Sequence, residues 1–111
     1  MDLKKVFTIC QSLTPTVKYI QFGEIIYSNG SKRYQIIDWE NYCKALDKLK
    51  KIRPLKNIIE ELYTIVPPHT RNNQPPLVDD CTKSSILNCV CILVIKLETV
   101  CDLADASGIL A

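Results

Sequence analysis

Apolar and polar positions recur along this chain with two different periods, and the changes of period divide it into elements. After Asp2, a residue type that caps helices, Leu3, Val6, Phe7, Cys10 and Leu13 return at three- and four-residue spacing. That spacing predicts a short helix over 2–13, stopped by Pro15. From Val17 to Ile37 the period becomes two, with β-branched and aromatic residues on both sides of Asn29-Gly30. This dipeptide is a strong hairpin signal, so strands are expected over 18–28 and 31–37. A two-residue turn pairs Ser28 with Ser31, Tyr27 with Lys32, Ile26 with Arg33, Ile25 with Tyr34 and Gly23 with Ile36. Ile25, Tyr27, Tyr34 and Ile36 then share one apolar face, which is expected to pack on helices because an isolated hairpin is marginal.

Asp38 follows as an N-cap, with Glu40 in the first turn of a second helix and Lys48, Lys50, Lys51 and Arg53 at its far end. These charges suit the helix dipole. Trp39, Tyr42, Cys43, Leu46 and Leu49 make its core stripe. Pro54 breaks the pattern and is placed to begin a third helix. Leu55, Ile58, Ile59, Leu62, Ile65 and Val66 form the buried side of that helix, which ends before Pro67-Pro68. Residues 67–79, PPHTRNNQPPLVD, hold four prolines and almost no apolar period, so an extended surface loop is expected.

A long helix is predicted from about Thr82 to Ala106, with Asp80, Ser84 or Ser85 as caps. Leu87, Val90, Val94, Leu97, Cys101 and Ala104 alternate at three and four, a heptad seam. Ile86, Leu93 and Val100 broaden it, while Cys89, Ile92 and Leu103 lie on another side. A helix apolar nearly all round is buried all round, either in the core or in a dimer interface, and its period does not choose between them. The expected fold is α+β: a single, mainly helical domain over 1–111 in the order α-β-β-α-α-α, with a β-hairpin and a long C-terminal helix.

Composition narrows the class. With 111 residues, 47% apolar and 23% charged, the chain suits one domain that buries roughly 60–70% of its unfolded surface without a metal or disulfide staple. Six cysteines raise the possibility of a disulfide scaffold, but the start, MDLKKVFTICQSL, has no apolar run of signal-peptide length. Free thiols in a cytoplasmic or nuclear chain, not a secreted one, are therefore expected. The longest apolar run, Cys89 to Ile95, has seven residues, well short of the roughly 20 that a bilayer requires, so no transmembrane segment is expected.

Candidate chemistry is sparse. His69 is the single histidine, in the Pro-rich loop; paired with one of the thiols, it is where an enzymatic site would have to form. No base or orienting group accompanies Cys10, Cys43 or Cys101 locally, and no catalytic residue is assigned. Cys81, Cys89, Cys91 and Cys101 lack paired metal-ligand spacing, and Cys89 and Cys91 point about 200° apart on a helix, so no metal and no cofactor is expected. Glu60-Glu61 reads as a wet helix face, and Asp79-Asp80 marks a helix start. Three glycines supply no phosphate loop. Asn29-Gly30-Ser31 matches a glycosylation sequon, but without an export signal its turn role accounts for it.

Charge is the most informative polar feature. Residues 1–56 carry eleven Lys/Arg against five Asp/Glu, and residues 57–111 three against seven. Lys44, Lys48 and Lys51 share a stripe opposite Trp39, Tyr42 and Leu46, extended by Lys50, Arg53 and Lys56, while the hairpin tip adds Lys32 and Arg33. The expectation is a non-enzymatic interaction protein that self-associates through its last helix, at Leu87, Val90, Val94, Leu97 and Cys101. Lys32, Arg33, Lys44, Lys48, Lys51 and Arg53 would meet an acidic protein partner. The alternative is a small duplex-RNA-binding protein, a viral accessory factor for example, in which a dimer aligns two lysine stripes along the phosphates. No small-molecule substrate is evident.

Overall fold

Helix α1 (Leu3–Lys18) runs straight through the proline that was expected to end it, and is followed by β1 (Phe22–Ile26), β2 (Lys32–Ile36), α2 (Trp39–Leu49), a 3-10 turn at Arg53–Leu55, α3 (Lys56–Ile65) and α4 (Asp80–Ala106). This computed structural model describes residues 3–68 and 74–106. Its order is the expected α-β-β-α-α-α. In α1, Pro15 removes the N–H that would reach the Gln11 carbonyl, a break worth about 3 kcal/mol in a helix interior. Burial offsets it: Val6, Cys10, Leu13 and Val17 are all buried at four-three-four spacing, and Val17 lies beyond the proline. The Thr14 hydroxyl caps the Cys10 carbonyl from within the helix, and Tyr19 N–H still reaches Pro15 O at 3.2 Å.

The hairpin forms, but one residue out of the register a two-residue turn gives. Phe22 pairs with Ile36, Gly23 with Gln35, Glu24 with Tyr34, Ile25 with Arg33 and Ile26 with Lys32. The loop has three residues, Ser28, Asn29 and Gly30, because Tyr27 N–H donates to Ser31 O and Gly30 N–H donates to Tyr27 O, both at 2.9 Å. Gly30, at φ +85°, takes the left-handed position that closes such a loop. Asn29 Oδ1 accepts from the Ser31 N–H at 3.0 Å and the Ser31 hydroxyl at 2.6 Å, holding the third loop residue in place. The slip changes the faces. Phe22, Tyr34 and Ile36 turn inward, whereas Ile25 and Tyr27 join Arg33 and Gln35 on the outer side.

A third extended piece completes the small sheet. Val78 bridges to Tyr34 in both directions, at 2.8 and 2.9 Å, so residues beyond the Pro-rich stretch line the free edge of β2. Gln35 Nε2 reaches Pro75 O at 3.3 Å on the same side. Of the expected 67–79 loop, residues 69–73, His69 among them, lie outside the described residues.

Asp38 stands at the N-cap of α2, yet its side chain makes no capping bond there; it accepts Asn41 Nδ2 instead. Trp39, Tyr42, Cys43, Leu46 and Leu49 are buried as expected, with Ala45 beside them. Tyr42 stacks on Trp39, ring centroids 5.2 Å apart, and its hydroxyl donates to Val66 O at 3.3 Å. Pro54 sits in the first positions of the 3-10 turn that precedes α3, not at the start of the α-helix itself. Asp79 caps α4, accepting Thr82 N–H at 2.8 Å, where Asp80, Ser84 and Ser85 were the expected caps.

The core face of α4 is Ile86, Cys89, Val90, Leu93, Leu97 and Val100, all buried. It packs on α1 and α3. The last helix is therefore core within the chain, and its seam is rotated by about one residue from the expected one.

Candidate functional site

The five residues expected at a self-association seam separate. Val90 and Leu97 are buried within the chain, Val94 and Cys101 are half-buried against the same core, and Leu87 is exposed. A different stripe faces solvent. Asn88, Ile92, Ile95, Thr99 and Leu103, spaced four, three, four and four, run along the solvent side of α4, with Leu103 nearest the core's edge. Ile92, Ile95 and Leu103 are 46%, 61% and 65% exposed. Lys96 flanks this stripe on one side, Glu98 and Asp102 on the other, and its centre carries no charge. Beside it, Pro54, Lys96, Thr99, Val100 and Leu103 line an open groove of about 250 Å³.

Sequence reading placed Ile92 and Leu103 away from the seam without giving them a role. The signal that would have found them is the second heptad itself, since Ile86, Val90, Leu93, Leu97 and Val100 fit four-three spacing as well as the expected set. Filling the core with that set leaves the opposite stripe over.

The basic residues also separate. Lys32 pairs with Glu24 at 3.3 Å. Lys32 and Arg33 share an open groove of about 530 Å³ with Asp79 and Asp80 at the start of α4. The hairpin tip thus faces acids. On α2, Lys44 pairs with Glu40 at 2.9 Å, and Lys50 approaches Asp47 at 3.8 Å. Lys56 reaches Glu60 at 4.0 Å. Lys48, Lys51 and Arg53 are exposed and make no ion pair with any described residue. These three stand in the last turn of α2 and the segment after it, and Arg53 immediately precedes Pro54, which lines the α4 groove.

Lys83 is a cation that the sequence did not single out. Its ammonium sits 4.1 Å from the centre of the Tyr34 ring and 5.6 Å from that of Phe22, covering the inner face of the sheet. The Tyr34 hydroxyl bonds Asp80, which raises that phenol's pKa.

Among the described residues, the resolved shifts move groups away from neutrality. Hydrogen bonds from Thr82 hold the Asp79 carboxyl low. Burial pushes up the Tyr42 and Tyr63 phenols and the Cys89 thiol, and burial with a bond to Cys101 pushes the Cys10 thiol up to about 12. A general base or a nucleophilic thiolate needs the opposite direction. Among the described residues no group of three metal-ligating side chains converges, and no helix is long and apolar enough to cross a membrane. Trp39 Nε1 is buried without a hydrogen-bond partner. Comparison with protein-family models, curated proteins and solved structures gave no match to the chain.

Proposed function

We propose that this chain is a non-enzymatic interaction protein that pairs with a second copy through the outer stripe of α4 and meets an acidic protein with the basic end of α2. One observation carries the reading: α4 keeps Ile92, Ile95 and Leu103 in water although its opposite face already fills the core. A helix whose only task is core packing carries polar residues there. A second copy is the occupant that suits this stripe. Its uncharged centre meets itself without opposing like charges, and the groove beside Leu103 accepts an aliphatic side chain from the facing helix. The outer face of the hairpin also exposes Tyr27 and Ile37, but Arg33 and Gln35 interrupt it.

Lys48, Lys51 and Arg53 give the acidic partner its place. Arg53, next to the Pro54 that lines the groove, links this basic end to the apolar stripe. Ile95→Glu tests the pairing, because Ile95 contributes little to the core: it should give a folded monomer from a wild-type dimer. A wild-type chain that is already monomeric at high concentration overturns the proposal.

A further inference from the structure

Two cysteines 91 positions apart meet where α1 crosses α4. Cys10 is fully buried on α1, and Cys101 is half-buried on α4 against the same core cluster. An open groove of about 420 Å³ lies between the two helices, lined by Phe7, Gln11 and Thr14, the helical neighbours of Cys10, and by Glu98, Asp102 and Cys101 itself. Both thiols are free, and each lies close enough to perturb the other. We propose that Cys10 and Cys101 form a thiol pair that a low-molecular-weight disulfide oxidises to an intrachain disulfide, joining the first helix to the last.

The order of events follows from the surroundings. Cys101 is open to the groove and Cys10 is not. Burial, the larger cause, pushes the Cys10 thiol up to about 12, so Cys101 meets the oxidant first. Burial, with Asp102 and Glu98 nearby, still keeps the Cys101 thiol above its ordinary value, so oxidation accelerates as pH rises. The Cys101 thiolate attacks one sulfur of the oxidant RSSR, forming Cys101–S–S–R and releasing RS⁻. Cys10 then gives up its proton and attacks the Cys101 sulfur, forming the Cys10–Cys101 bond and releasing the second RS⁻. Two electrons pass to RSSR, and the two protons lost by the protein appear on two RSH.

The experiment uses the full chain with the exposed thiols removed, Cys81→Ser with Cys91→Ser, incubated with oxidised glutathione at pH 8. Intact mass should show the loss of two hydrogens, and non-reducing peptide mapping should join the Cys10 peptide to the Cys101 peptide. The closed loop is long, so the thermal midpoint should rise by at least about 5 °C and fall back on reduction. Adding Cys10→Ser should trap a glutathione adduct on Cys101; should that variant fail to fold, the mapping of its parent still decides. A stable Cys101 adduct in the parent, linkage through Cys43 or Cys89, or no reaction while the chain stays folded each overturns the pair.

Discussion

Gly30 and Asp79 are single residues on which local geometry depends. A Cβ at Gly30 would meet no atom within 4 Å, so the cost of Gly30→Ala is conformational alone. At φ +85° that cost is about 1 kcal/mol, measurable as a lower denaturation midpoint with unchanged slope. Asn29→Ala should act at the same place by freeing the Ser31 N–H and hydroxyl. Asp79 is exposed, and its carboxyl is held low by its bonds to Thr82. Its contribution is therefore present above the ordinary carboxylate range and lost as pH falls through the depressed folded value. Asp79→Ala should lower the thermal midpoint at pH 7, Asp79→Asn should retain most of the cap, and the gap between wild type and the alanine variant should close in acid.

At the scale of elements, α1 and α4 carry opposite lessons about packing. Pro15→Ala restores an N–H to the Gln11 carbonyl and should stabilise the chain by about 1 kcal/mol once the freer unfolded state is counted. On α4 the two faces predict different outcomes. Leu97→Ala opens a void at a fully buried site and should cost about 3 kcal/mol. Ile95→Ala should leave monomer stability within about 0.5 kcal/mol, as at an ordinary surface position.

These elements also show what the sequence could reveal. Helix positions were legible because Trp39, Tyr42, Leu46 and Leu49, or Ile58, Ile59 and Leu62, repeat with one period and one buried face. Four features were not legible, each for a physical reason. Pro15 stops a helix unless tertiary burial beyond it compensates, and Val17 supplies that burial only in the folded chain. Asn29-Gly30 fits both two- and three-residue loops, and the choice moves Tyr27 from core to solvent. On α4 two heptads overlap, so the face that meets α1 and α3 emerges only when those helices are placed. The Cys10–Cys101 contact has no local signal at all.

For the whole molecule, charge is redistributed by folding. The excess of basic residues in the first half appeared as one patch in sequence, yet Lys32 and Arg33 lie against Asp79 and Asp80, and Lys44 lies against Glu40. Of the six basic residues expected at a partner surface, Lys48, Lys51 and Arg53 have neither an ion pair nor an acid-lined groove among the described residues. Changing these three to Ala should weaken retention on an acidic protein matrix and flatten its salt dependence, whereas Lys32→Ala should have a smaller effect. Duplex RNA in place of the acidic matrix distinguishes the RNA-binding alternative.

The central claim is that the outer stripe of α4 is covered by a second copy of the chain. Light-scattering mass across a range of protein concentrations, with circular dichroism on the same samples, tests it most directly. The wild type should be a dimer that dissociates on dilution, and Ile95→Glu a monomer with the wild-type helical spectrum. A wild-type chain that stays monomeric throughout the range would contradict it.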